Sequence, residues 1–431
     1  MAELMSLPMA TFSAIAFYIL LLSLLFQPLR STVARCLFAP ANENYLMGFD
    51  TIRGLAMLCI ALGHGFWFAQ PAFNSSVVMW PWLQSTAKGV GIFCVLSGFL
   101  VYRSLLPSRT VADLGKYFVR RFFRIYPVYF IGVLLAVFFS QYSNGRTIDI
   151  SYLLSDLFML TTFDPAAKYA NPVCWSLYGE VMFYMALPLV LFFFRNRMLL
   201  FSTLALAALL MADNPSRVTG LWRYFAIGIM ASELSNKPRN TVVNYFLALS
   251  GLTMILLDFR GPAFDWASQI GLGCVHPSLD TLGLGIGTGL VLTALPQLPR
   301  LGKIMDFMPL RLLGTISYSV FIGHIFFILA NFPCIGLANK PLLAISAQLP
   351  PGGYSAWFLP AVLVPGMLFW GAVCFLFIEY PGIKLGRKLL KGTRFTQSTS
   401  NGVASQCLGS DSIPSQDSIP SQRQPLGTGV S

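Results

Sequence analysis

Charge is what this sequence has least of. Asp, Glu, Lys and Arg make up 11% of its 431 residues, against 55% hydrophobic residues. A water-soluble surface needs roughly a quarter or more of its residues charged. The shortage therefore excludes the two or three soluble domains that length alone would suggest. Histidine is scarcer still, at three in the chain. Neither a CxxC pair nor a His/Cys cluster with zinc spacing is present among the eight cysteines, so no metal site is expected. No GxSxG pattern surrounds Ser97, and no strand precedes it, which excludes an α/β-hydrolase elbow there. Met1 to Pro8 contains no basic residue. The apolar run that follows is therefore read as a membrane span and not as a cleavable signal peptide.

What the chain does have is long apolar runs, with a mean hydropathy of +0.66. Such runs read as transmembrane helices, because a helix satisfies its own backbone hydrogen bonds inside lipid. Candidate spans fall at 9–29, 51–69, 88–106, 122–140, 173–194, 198–212, 218–234, 241–257, 279–296, 312–331 and 357–378. The fold class is thus all-α: a polytopic transmembrane bundle of about ten core helices plus one extra N-terminal span. Segment 151–163 is too short to cross and reads as interfacial or re-entrant. The net charge of +12 sits mostly between the apolar runs. There it sets topology, and no nucleic-acid partner is expected. One set of alternate loops holds Arg30, Arg35, the run from Arg109 to Arg121, Arg195, Arg197, Lys237, Arg239 and the run from Arg300 to Arg311. The other set is sparse. By the positive-inside rule the C-terminus is cytoplasmic and the N-terminus extracytoplasmic.

Three domains follow: an extra span with its linker over 1–45, a membrane core over 46–390, and a tail over 391–431. The tail is rich in Ser, Gln, Pro and Gly, and repeats Asp-Ser-Ile-Pro-Ser-Gln at 411–416 and 417–422. Disorder is expected there. Asn74-Ser-Ser76 is a glycosylation sequon in an outward loop. Cys59, Cys94, Cys174 and Cys374 lie inside apolar runs and read as packing residues. Cys274 and Cys334 fall in loops on one face, where a single disulfide can form.

Ionisable groups inside spans are costly and are functional candidates by default. Arg53 and His64 are eleven residues apart. They point the same way on a helix and stand roughly 16 Å apart along its axis. An anion held at Arg53 would extend a thin arm to His64. Alternatively, Arg53 snorkels to headgroups and His64 is a hydrogen-bonded packing residue. In RRFFRIYP, Arg120 and Arg124 share a face, suited to phosphate oxygens or to a membrane anchor. Ser176, Glu180 and Tyr184 also share a face. Glu180 must be paired or protonated, with an Arg or His partner, a base to orient or a sugar hydroxyl as alternatives. Ser317 and His324 share a face seven residues apart. His324 either binds an acceptor or completes a polar core. Ser97-Gly98 in GVGIFCVLSGFL favours close helix packing. His276 lies in an outward loop with no assigned role.

Together these segments resemble the acyltransferase 3 family of integral-membrane sugar O-acyltransferases. FDTIRGLAMLCIALGH resembles its first core helix, with Arg eleven positions before His, and GVGIFCVLSGFL its second. RRFFRIYPVYF is similar to its basic motif, WSLYGEVMFYMALP to its Trp-Ser-Leu…Glu…Tyr…Pro segment, GTISYSVFIGH to its late Ser-Tyr…His helix, and FIEYPG to its closing Glu-x-Pro. The six motifs run in order from about 46 to 385. The resemblance implies a ten-helix core that uses cytoplasmic acyl-CoA, acetyl-CoA by default, as co-substrate, with no permanently bound cofactor. Its acceptor would be a hydroxyl of a glycan or another hydroxylated compound. Carried over to this sequence, Arg53, Arg120, Arg121 and Arg124 would hold the nucleotide phosphates. His64 and Glu180 would be catalytic, and Ser97, Tyr318 and His324 would line the substrate site. The sequence departs from the family by its extra 9–29 span. It also lacks the soluble esterase-like domain that some members carry, which implies a one-domain mechanism or a partner that completes transfer.

Two other function classes compete. Mid-membrane polar groups and Gly-rich helices such as 283–289 also suit a transporter of a small polar or anionic solute. A passive scaffold acting through its tail is the third reading.

Overall fold

The computed structural model describes residues 13–19, 45–69, 88–106, 110–144, 150–160, 171, 173–193, 220–259, 282–331 and 354–392. Most of the 9–29 span, the 198–212 span, the sequon, the Cys274–Cys334 pairing, His276 and the repeat-bearing tail lie outside the described residues. Regular structure among the described residues is helical throughout, with twelve named α-helices besides the helical stretch 13–19. They are α1 (Phe49–Ala69), α2 (Gly89–Leu105), α3 (Val111–Asn144), α4 (Ile150–Leu157), α5 (Cys174–Phe193), α6 (Trp222–Ser235), α7 (Thr241–Phe259), α8 (Leu282–Ala294), α9 (Pro299–Met305), α10 (Met308–Asn331), α11 (Tyr354–Cys374) and α12 (Tyr380–Gly392). A π-helical turn, Phe375–Glu379, joins α11 to α12. Two compact units divide the chain at Arg387 and Lys388. The bundle belongs to the first.

Four stretches among the described residues are long and apolar enough to cross a membrane: Val111–Phe138, Cys174–Leu191, Thr241–Phe259 and Val364–Leu390. The chain is a multi-pass integral membrane protein. Its outward surface fits that solvent, since Val242, Phe246, Leu249, Leu252 and Leu256 of α7 are all exposed, an apolar face that lipid covers at no cost.

Helix boundaries follow local chemistry. Gly48 adopts φ 84°, a left-handed turn that admits glycine, directly before α1. Helix α3 starts eleven residues before the expected span at 122, because Thr110 and Asp113 form a reciprocal cap. The Asp113 amide donates to Thr110 Oγ1 (3.2 Å), and the Thr110 amide donates to the Asp113 carboxylate (3.2 Å). The described part of segment 151–163 holds the eight-residue α4, which begins at Ile150. The span expected at 357–378 instead runs on through the π turn into the amphipathic α12.

Packing is sequential: α7 against α8, α8 against α6, α6 against α2, α2 against α1, α1 against α10, and α10 against both α11 and α3. Glycines permit the closest of these approaches. A Cβ at Gly54 would collide with the Leu310 carbonyl, and one at Gly314 with the Asp50 carbonyl. The α1–α10 pair is thereby locked backbone to backbone. Its lower end is tied further by Thr51 Oγ1, which donates to the Met305 carbonyl (2.5 Å), and by the Tyr45 hydroxyl, which donates to Asp306 (3.0 Å).

Candidate active site

Five helices converge on one cavity that mixes polar and apolar side chains. Arg53 comes from α1; Phe93, Cys94 and Ser97 from α2; Arg121 and Arg124 from α3; Ser176, Glu180 and Tyr184 from α5; and Ser317, Tyr318 and Phe321 from α10. Its atom-free space, mouth included, is ≈ 810 Å³. Glu180 is its carboxylate. Oε1 accepts from Ser97 Oγ (2.7 Å) and from the Tyr184 hydroxyl. Both bonds go to the same oxygen. Arg121 lies over the rings of Tyr184 (4.9 Å) and Tyr117 (5.6 Å), a placement that holds a guanidinium in a fixed plane. Arg53 pairs with Asp50 one turn away (2.8 Å). The Tyr318 hydroxyl donates to the Ile125 carbonyl (2.9 Å), so it ties α10 to α3.

A second opening adjoins the first and shares Arg121 and Arg124 with it. This groove is also lined by Ser104, Tyr117, Arg120, the Asp113 carboxylate and, from α12, Arg387. Four guanidinium groups thus flank it. Arg120 lines the groove and not the cavity; Arg53 lines the cavity and not the groove. Helix α12 reaches α3 by close approach, since a Cβ at Gly386 would lie 2.8 Å from Phe123 Cβ.

His64 and His324 come together, although 260 residues separate them in sequence. His64 Nδ1 is 2.8 Å from His324 Nε2, and the two rings are near parallel, with centres 4.9 Å apart and 12° between planes. His324 is 0% exposed. Its Nδ1 lies 2.7 Å from the Phe321 carbonyl and 3.1 Å from that of Val320. Neither imidazole lines the cavity. Phe321 does, and its ring centre is 6.0 Å from that of His324. Phe321, three residues or about 4.5 Å of helix before His324, is thus the lining residue shown beside that imidazole.

The walls are held by buried polar ties. Asp156 of α4, 2% exposed, accepts from the Tyr178 hydroxyl through Oδ1 and from the Tyr129 hydroxyl through its carbonyl. These bonds fix α5 against α3, two residues before Glu180. Glu379, 1% exposed, accepts from Ser319 Oγ (2.7 Å) and stands 4.0 Å from Arg124 Nε. The π turn carries it inward, as such bulges commonly do at functional sites.

Sequence reasoning missed several of these groups. Arg387 has no role in the sequence reading, and Glu379 enters it only as part of FIEYPG. Cys94, read as a packing residue, also lines the cavity wall. A carboxylate at the end of an apolar run was the available signal for Glu379. For Arg387 the signal was the i,i+3 spacing of Lys384 and Arg387 on an amphipathic helix.

A family model described as "Acyltransferase domain" matches residues 47–379. Nodulation protein 10 of Rhizobium leguminosarum bv. viciae is 24% identical over 394 residues, which is 81% of this chain and 98% of that protein. Peptidoglycan O-acetyltransferase OatA of Listeria monocytogenes is 24% identical over 349 residues, covering 71% of this chain and 51% of the relative. O-acetyltransferase OatA of Staphylococcus aureus is 23% identical over 395 residues, covering 80% and 58%. The chain thus spans about half the length of the two OatA proteins. No solved structure matches it.

Proposed function

Because the chain belongs to the acyltransferase 3 family, we propose that it moves an acyl group, acetyl by default, from cytoplasmic acyl-CoA to a hydroxyl of a glycan or another hydroxylated acceptor. One observation carries the reading: a groove flanked by Arg120, Arg121, Arg124 and Arg387 adjoins, across Arg121 and Arg124, a cavity lined by Arg53, Ser97, Glu180 and Tyr318. Coenzyme A has the matching form, a polyphosphate head on a narrow thioester arm. Arginine forks suit its phosphate oxygens. The cavity takes the arm and excludes water, which protects the thioester.

In the transfer step a neutral His64 takes the proton of the acceptor hydroxyl. The oxygen attacks the thioester carbonyl, the C–O bond forms, the C–S bond breaks, and coenzyme A leaves as thiolate and collects the proton. Ser97 and Tyr318 line the path of the arm, and Glu180 orients the reacting groups. The acyl arm reaches His64 by passing Phe321. The catalytic core is 46–390, with the arginine-bearing end facing the cytoplasm and the N-terminus outside.

Purified protein is added to membranes of its host lacking it, with labelled acetyl-CoA. The expected result is label in a hydroxyl ester with equimolar release of coenzyme A. His64→Ala should lower the rate about 10²–10⁴-fold while leaving insertion intact. Wild-type transfer by His64→Ala would overturn the assignment. Vesicle uptake of a solute without ester formation would replace acyl transfer with transport. Mass spectrometry of host glycans with and without the protein identifies the acceptor.

A further inference from the structure

The contacts around the two imidazoles settle which ring nitrogen carries each proton. Carbonyl oxygens accept and never donate. His324 Nδ1 faces two of them, Phe321 at 2.7 Å and Val320 at 3.1 Å, so Nδ1 bears the hydrogen. A neutral His324 then presents a bare lone pair at Nε2. That lone pair faces His64 Nδ1 at 2.8 Å. Two lone pairs do not approach so closely, so His64 Nδ1 donates. The one N–H hydrogen of a neutral His64 is thereby placed on Nδ1, and its Nε2 holds a lone pair. Among the described residues Nε2 of His64 has no hydrogen-bond partner.

We infer that His324 is a positioning residue, which fixes His64 in the Nδ1–H tautomer and turns its basic Nε2 toward the reacting hydroxyl. The chain of bonds runs from the Phe321 carbonyl through His324 to His64. The state of one nitrogen in an imidazole is set by the bond the other makes. Here a backbone carbonyl and a second imidazole take the place of the carboxylate that orients a base in hydrolytic triads. An uncharged relay suits this setting, because no ionised carboxylate has to be buried beside the base. When His64 takes a proton at Nε2, the imidazolium keeps its Nδ1–H bond to His324, and His324 accepts throughout. His324 therefore needs no free nitrogen for substrate, and it has none. The Gly54 and Gly314 contacts that lock α1 to α10 hold the two rings at this distance.

This inference rests on His64 being the base, and the test separates the two. The chain has three histidines, so ¹⁵N imidazole spectra are assignable by single substitutions. In wild-type protein His64 should show the Nδ1–H tautomer; an Nε2–H tautomer in wild type overturns the inference without reference to any variant. His324→Gln keeps an acceptor oxygen near the old Nε2, whereas His324→Leu removes it. His324→Leu should lose the Nδ1–H preference of His64 and drop kcat about tenfold or more, with KM for acetyl-CoA unchanged. His324→Gln should restore most of the turnover and the tautomer. Wild-type kcat in His324→Leu, or equal loss in both variants with the tautomer intact, contradicts the positioning role. His64→Ala is the control. If it retains transfer, the base assignment fails; if it is inactive while His324→Leu is not, only the positioning role fails.

Discussion

Helices α7 and α8 approach each other through Gly251 and Gly287, where each added Cβ would lie 2.5 and 2.6 Å from the opposing glycine's carbonyl oxygen. Helices α1 and α10 meet through Gly54 and Gly314 in the same manner. The first pair presents an apolar face outward, with Phe246 and Leu249 exposed. The second carries Asp50, Arg53, His64 and His324. Close backbone approach is thus one device in two settings. Between apolar helices it gives packing, with no hydrophobic driving force to help inside lipid. Between helices bearing ionisable groups it also fixes distances between those groups. A contact of 2.8 Å between imidazoles survives only if the helices that bear them cannot slide.

This contrast can be broken at several points. Gly314→Val forces α10 off the Asp50 carbonyl and separates the two rings. A misplacement of about 1 Å is expected to cost about 10²-fold in kcat, measured as coenzyme A release by the purified variant. Arg124→Gln removes one fork shared by groove and cavity. Loss of a charged hydrogen bond of about 1.5–3 kcal/mol should raise KM for acetyl-CoA about 10- to 100-fold with a smaller change in kcat. Gly287→Val overpacks α7 against α8 at about 1–3 kcal/mol. It should lower the melting temperature, while kcat per folded molecule stays within about twofold. Equal kcat losses in Gly287→Val and Gly314→Val would erase the distinction between the two pairs.

The smallest effect is at Tyr45, outside the spans. Its hydroxyl donates to Asp306 (3.0 Å), and Arg311 lies over its ring at 4.7 Å. Burial, followed by the Asp50 carboxylate and the bond to Asp306, pushes the phenol well above its ordinary value. The folded state thus disfavours the phenolate. Its contribution is complete below pH of about 10, the unfolded value, and declines only as pH rises beyond it. Tyr45→Phe should cost about 1 kcal/mol in denaturation measured near neutral pH.

The sequence made the helices legible because lipid leaves the backbone little choice. Expected spans at 51–69, 88–106, 173–194 and 241–257 correspond to α1, α2, α5 and α7 within a few residues. The start of α3 was misplaced for an identifiable reason. Lys116, Arg120 and Arg121 read as a loop by charge, while the Thr110…Asp113 capping pattern carried the real boundary. Arg53, Arg124 and Glu180 were legible as polar groups at or inside apolar runs, and Ser97, Arg121 and Tyr318 through the family resemblance; all six line one cavity. The pairing of His64 with His324 was not. No local pattern spans 260 residues, and the packing of α1 on α10, closest at Gly54 and Gly314, brings the rings together. The passage expected from the arginines to His64 is not part of the cavity lining, which includes Phe321 but neither imidazole.

A structure determined with coenzyme A bound tests the central claim most directly. The account predicts phosphates against Arg120, Arg121 and Arg124, with the pantetheine arm running past Ser97 and its sulfur directed at His64. A nucleotide seated elsewhere on the bundle, or an arm pointing away from α1 and α10, would contradict it.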